Sequence, residues 1–82
     1  MKIDQTVSSF LSEMGALLRQ RREIAGISQK DLSELSGLSV HTISDIERAK
    51  GNPTVEVIHR LFTCLGLEIV FRPKGTHPST ST

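Results

Sequence analysis

The chain has 82 residues, 37% of them apolar, with three Phe, no Trp or Tyr, and a formal charge of +1 from ten basic and nine acidic side chains. That length allows one small domain with an aliphatic core and a thin stability margin, which association with a second subunit would widen. A single cysteine excludes an internal disulfide and no apolar run nears the roughly 18 residues of a membrane span. The N-terminus also lacks the basic-then-apolar order of a signal peptide, so a cytoplasmic, nucleoid-associated protein with no membrane partner is expected.

The first segment, about Ser8 to Ala25, carries Leu11, Met14 and Leu18 at helical spacing, flanked by Leu17 and Ile24, and Gly26 is placed to end it. Its arginines lie late, where they also suit the negative end of a helix dipole. In "SQKDLSELSG", Ser28 is a helix cap with Asp31 as the acidic partner of a capping box. Leu32 and Leu35 supply apolar positions, and Gly37 ends a helix of about two turns that could not stand alone. Ser39 caps the next helix, "VHTISDIER". At about 100° per residue, Ile43 and Ile46 share one side, His41, Ser44, Asp45 and Arg48 lie opposite, and Val40 sits on the flank.

"AKGNP" reads as a loop. Thr54 caps a fourth helix with Val57, Ile58, Leu61, Phe62 and Leu65 as apolar positions, stopped by Gly66. The period then changes. "LEIVFRP" is β-branched and aromatic, so Leu67, Glu68, Ile69, Val70 and Phe71 are expected to form a strand ending before Pro73. Residues 74–82 read as a disordered polar tail. The expected organisation is one domain over 1–73, with a helix-turn-helix at 28–48 and a terminal strand at 67–71.

Net charge alone does not mark a nucleic-acid binder, but five of the ten basic residues fall in two clusters, Arg19/Arg21/Arg22 and Arg48/Lys50. Catalysis has no support: no Ser/His/Asp constellation, Gly-rich phosphate loop or paired carboxylates occur. His59 and Cys64, five apart on one helix, fall on different faces, and no metal or cofactor is expected. Cys64 reads as a buried small residue and His59 as a surface one; His77 is assigned no role.

The pattern R-x-x-R-x-x-x-G-I-S-Q-x-x-L-S-x-x-S-G-L-S-x-x-T-I-S-x-I-E, Arg19 through Glu47, resembles the Cro/phage-repressor (XRE) type of helix-turn-helix domain, and the likeness covers about Met14 to Leu67. It implies an all-α, four-helix, lambda-repressor-like fold, here extended by the terminal strand. Ser33 would be the small residue at the helix crossing, where the family usually has Ala. Arg21 stands where the family often has Leu.

The resemblance also implies a docking mode: the second helix's N-terminus meets a phosphate and the third enters the major groove of double-stranded DNA. Base contacts then fall to Ser39, Val40, His41, Ser44 and Asp45, and phosphate contacts to Arg19, Ser28, Gln29, Thr42, Arg48 and Lys50. Arg22 and Glu47 match family positions that form a salt bridge between the first and third helices. Plainer roles stand beside these: Ser28 and Ser39 as caps first of all, and His41 or Asp45 as merely solvated side chains.

A lone strand cannot pair within a helical domain, so pairing across a two-fold homodimer is expected, which also suits a palindromic operator. A helix-turn-helix with a terminal strand and loose tail resembles HipB-like antitoxins, which implies an autoregulatory repressor with a HipA-like kinase toxin as partner. Two other readings stay open: a free-standing autoregulatory or phage-type repressor, and a coactivator-like interaction module with little specific DNA binding.

Overall fold

A computed structural model of the chain describes residues 3–75. Four helices follow in order: α1 (Ile3–Ile24), α2 (Gln29–Ser36), α3 (Val40–Glu47) and α4 (Val55–Cys64). α1 begins five residues before the expected Ser8, because helical spacing of apolar side chains continues upstream through Val7 and Phe10.

The caps form as their chemistry dictates. Ser28 Oγ accepts from the Asp31 N–H at 3.0 Å while the Asp31 carboxylate accepts from the Ser28 N–H at 2.9 Å. Those bonds hold the Asp31 carboxyl below its ordinary value. Ser39 and Thr54 cap α3 and α4 by the hydroxyl bond alone, accepting from the N–H groups of Thr42 and Val57. The corner between α2 and α3 turns on Gly37 in the left-handed region (φ 79°), its N–H donating to the Ser33 carbonyl. The Ser33 hydroxyl donates across the corner to the Leu38 carbonyl, a bond that Ala could not make.

One core holds the helices together: Met14 and Leu18 from α1, Leu32 from α2, Ile43 and Ile46 from α3, Leu61 and Phe62 from α4. Leu11, Ile27, Leu38, Val57, Ile58, Leu65 and Leu67 pack around it. Gly15, in the middle of α1, is buried against α3. A Cβ there would lie 2.3 Å from the Ile46 carbonyl oxygen, so only glycine lets the two helices approach this closely.

Three expectations are corrected. Leu67, Glu68, Ile69, Val70 and Phe71 form no strand among the described residues. A ladder needs a second extended run, and the described residues offer none; Leu67 packs on the core, Ile69 lines a groove, and Phe71 is 89% exposed. Leu35 is 64% exposed, lying on the outer side of α2. Cys64 is exposed, because the last turn of α4 gives its inner side to Leu61, Phe62 and Leu65. Most of the expected tail, 76–82, lies outside the described residues. No helix among the described residues is long and apolar enough to cross a membrane.

Candidate nucleic-acid interface

The pose of α3 is set by one carboxylate. Arg22 Nε donates to Glu47 Oε2 at 2.6 Å and Arg22 Nη2 to Glu47 Oε1 at 3.0 Å, a bidentate pair whose side chains are only 12% and 3% exposed. Arg22 Nη1 also donates to the Ile27 carbonyl at 2.9 Å, and Gln29 Nε2 donates to Glu47 Oε1 at 3.1 Å. This network joins the end of α1, the turn after it, the first residue of α2 and the last residue of α3. Burial alone pushes the Glu47 carboxyl up, but the hydrogen bonds from Arg22 and Gln29, with the charges of Arg22 and Arg19, hold it below its ordinary value. The Arg22 guanidinium is raised in turn by its bond to Glu47, against the opposing effect of burial.

Ile43 and Ile46 anchor α3 inward, so its other side is presented. His41 stands out with 83% of its side chain exposed, Val40 is 41% exposed, and Ser44 is half-buried beside them. Asp45 lies lower on this face, 29% exposed, with His41 Nε2 3.2 Å from Oδ2 and Arg48 Nη2 donating to Oδ1 at 3.3 Å. Ser39 and Thr42 sit at the head of the helix, joined by a 2.9 Å hydroxyl bond in which Ser39 donates. Thr42 also borders a hollow of about 160 Å³ with Asp45, Lys50 and Asn52. The loop behind it is held by Ala49 in the left-handed region (φ 58°) and by the Lys50 N–H on the Asp45 carbonyl at 2.7 Å.

His41, Ser44, Asp45 and Arg48 thus share one exposed face of short or flexible polar side chains. Ser28 and Gln29 lie at the head of α2, where Ser28 and Asp31 close the capping box. Gln29 already gives one amide hydrogen to Glu47, a tie that the sequence did not suggest. Arg19 is exposed and pairs along α1 with Glu23 at 3.1 Å. The role of Gly15 was also missed, although a glycine inside a helical pattern is itself a sign of close approach. No cluster of three or more His, Cys, Asp or Glu able to hold a metal ion occurs among the described residues.

Residues 13–70 match the family model described as a helix-turn-helix domain. A helix-turn-helix-type transcriptional regulator of Sinorhizobium fredii, y4dL, is 40% identical over 62 residues, which make up 76% of this chain and 32% of that protein. The chain therefore spans about a third of the length of that relative. A second such regulator, from Methanothermobacter thermautotrophicus, is 33% identical over 55 residues, covering 67% of this chain and 80% of its own. Among solved structures, the restriction-modification controller protein C.AhdI from Aeromonas hydrophila superposes with a TM-score of 0.68 at 35% identity, over 73% of this chain and 91% of that one. With a family match over residues 13–70 and a relative 33% identical over 80% of its own length, the chain belongs to the helix-turn-helix domain family of transcriptional regulators.

Proposed function

We propose that the protein is a sequence-specific transcriptional repressor that binds a palindromic operator as a homodimer, inserting α3 into the major groove. The observation that carries this reading is the exposed face of α3, locked in pose by the Glu47 network while its own polar side chains, paired only with one another at the surface, line the outward side. Ser39, Val40, His41, Ser44 and Asp45 are the base-reading positions. Ser28, Gln29, Thr42, Arg19, Arg48 and Lys50 flank them as phosphate contacts. On this reading the protein acts by occupying DNA.

A second copy fits the apolar face on the α1–α4 side. Phe10 (61% exposed) and Leu17 (39%) border a groove of about 400 Å³ with Met14, Ile58, Phe62 and Ile69, and Val7 and Val70 are exposed as well. Burying these side chains against a second copy would widen the thin stability margin of a domain this small. The likeness to HipB-like antitoxins hangs on a terminal strand paired between two copies, whereas the similar proteins are helix-turn-helix transcriptional regulators and a restriction-modification controller, so the free-standing autoregulatory repressor comes first. A kinase-like reading frame beside this gene would restore a HipA-like toxin as partner.

The test is competition binding on the DNA upstream of the gene at rising salt. The repressor reading requires a preference over random duplex on the order of 10³ or more at physiological salt. Equal, weak binding to both would favour an interaction module of the coactivator kind.

A further inference from the structure

We propose that Asp45 is a positioning residue of the reading face, which holds His41 and Arg48 in the free protein and sets sequence preference rather than affinity. The inference rests on the DNA-binding reading above. The carboxylate sits at the centre of the face with both oxygens in use. Oδ2 takes His41 from one turn earlier at 3.2 Å, and Oδ1 takes Arg48 from three residues later at 3.3 Å. His41 and Arg48 are the longest donors on this side of α3, and both converge on the same group. Asp45 is 29% exposed against 83% for His41 and 56% for Arg48, so it lies beneath the two side chains it holds.

Lys50 and Thr42 border the hollow on the far side of Asp45, but neither bonds its carboxylate among the described residues.

Two consequences follow from elementary electrostatics. Each exposed pair of this spacing is weak, worth about a two-fold bias, so a base edge or phosphate can displace Asp45 from either partner. A carboxylate uncovered beside a phosphate is repulsive, so the exchange is favourable only where the DNA gives something back. A cytosine amino group offered to Asp45, or a good acceptor offered to His41, meets that condition; a wrong sequence does not. Asp45 thereby suppresses binding to random DNA, and the same two contacts, a hydrogen bond from Arg48 and the close approach of His41, orient the side chains that read the right one.

The experiment compares wild type with Asp45→Asn, which keeps the shape and removes the charge. Affinity for the upstream fragment and for random duplex is measured across salt, and the order of the Arg48 side chain is measured by 15N relaxation in the free protein. At about 0.1 M salt, removing one carboxylate from the face is equivalent to about one more phosphate neutralised, roughly ten-fold in affinity. The expected result is random-duplex binding about ten-fold tighter, upstream-fragment binding unchanged or weaker, and a more mobile Arg48 guanidinium.

An equal change on both DNAs, whether gain or loss, or no change on random duplex, would overturn the proposal, and so would an Arg48 side chain whose order is the same in both proteins. If wild type shows no preference for any native fragment, the repressor reading fails instead, and the relaxation data still decide whether Asp45 holds Arg48.

Discussion

Gly15 shows how a single missing atom sets the reach of the recognition helix. Glycine within a helix costs roughly 0.5–1 kcal/mol relative to alanine, so Gly15→Ala should help α1 in isolation. In the folded chain the added Cβ would meet the Ile46 carbonyl at 2.3 Å, and because that atom is backbone the helices themselves must part. Overpacking dominates, and a net loss of roughly 1–3 kcal/mol is expected in urea unfolding, where an unchanged or higher midpoint would refute the close contact. His41 belongs to the same scale. Its exposure leaves little for it to contribute to folding. His41→Ala should keep the unfolding midpoint, cost roughly 1–3 kcal/mol on the operator and relax preference at one or two base pairs. Equal losses on operator and scrambled sequence would remove it from the reading face.

Between elements, the Glu47 network is the strongest single tie. Arg22→Ala leaves a nearly buried carboxylate facing the Ile27 turn without its partner, and a loss of about 3 kcal/mol is expected from chemical denaturation. The sign of the pH effect follows from the lowered Glu47 value. Its contribution is complete above the ordinary carboxylate range and is lost as pH falls through the lower folded-state value. Stability should therefore fall as pH drops through and below the ordinary carboxylate range, and Glu47→Gln should flatten that slope while weakening the protein near neutrality. An identical acid slope in the variant would assign the effect to other carboxylates.

Much of this level was legible in the sequence, because caps and turn glycines act locally: Ser28 with Asp31, Ser39, Thr54 and Gly37 each announce a boundary within four residues. The inward pair Ile43 and Ile46 followed from helical period alone. The first turn of α1 was not legible, since Asp4, Gln5 and Thr6 dilute the apolar signal there. Nor was the state of residues 67–71, because β-rich composition states a preference, whereas a ladder requires a partner that composition does not supply. The Asp45 bridge was hidden for a related reason. Spacing brings His41, Asp45 and Arg48 to one face, but which rotamers meet is decided only in three dimensions.

For the whole molecule, a small core and a large uncovered apolar face pull in the same direction. Among the described residues seven hydrophobic side chains are buried, while Phe10, Leu17 and Ile69 stand exposed along one groove and Val7, Val70 and Phe71 are exposed as well. Placing a charge there by Phe10→Asp should leave the helix content intact and convert a dimer to a monomer in sedimentation at micromolar concentration, with weakened operator binding. A variant that still sediments as a dimer would move the interface elsewhere.

The central claim is that α3 reads DNA with its exposed face, in two copies related by a two-fold axis. Hydroxyl-radical footprinting of the native upstream fragment tests it most directly. Two protected patches with centres about one helical turn, roughly 34–36 Å, or a multiple of it apart, each lost in His41→Ala at a concentration that protects in wild type, are the expected result. Uniform protection without patches, or no protection on any native fragment, would contradict it.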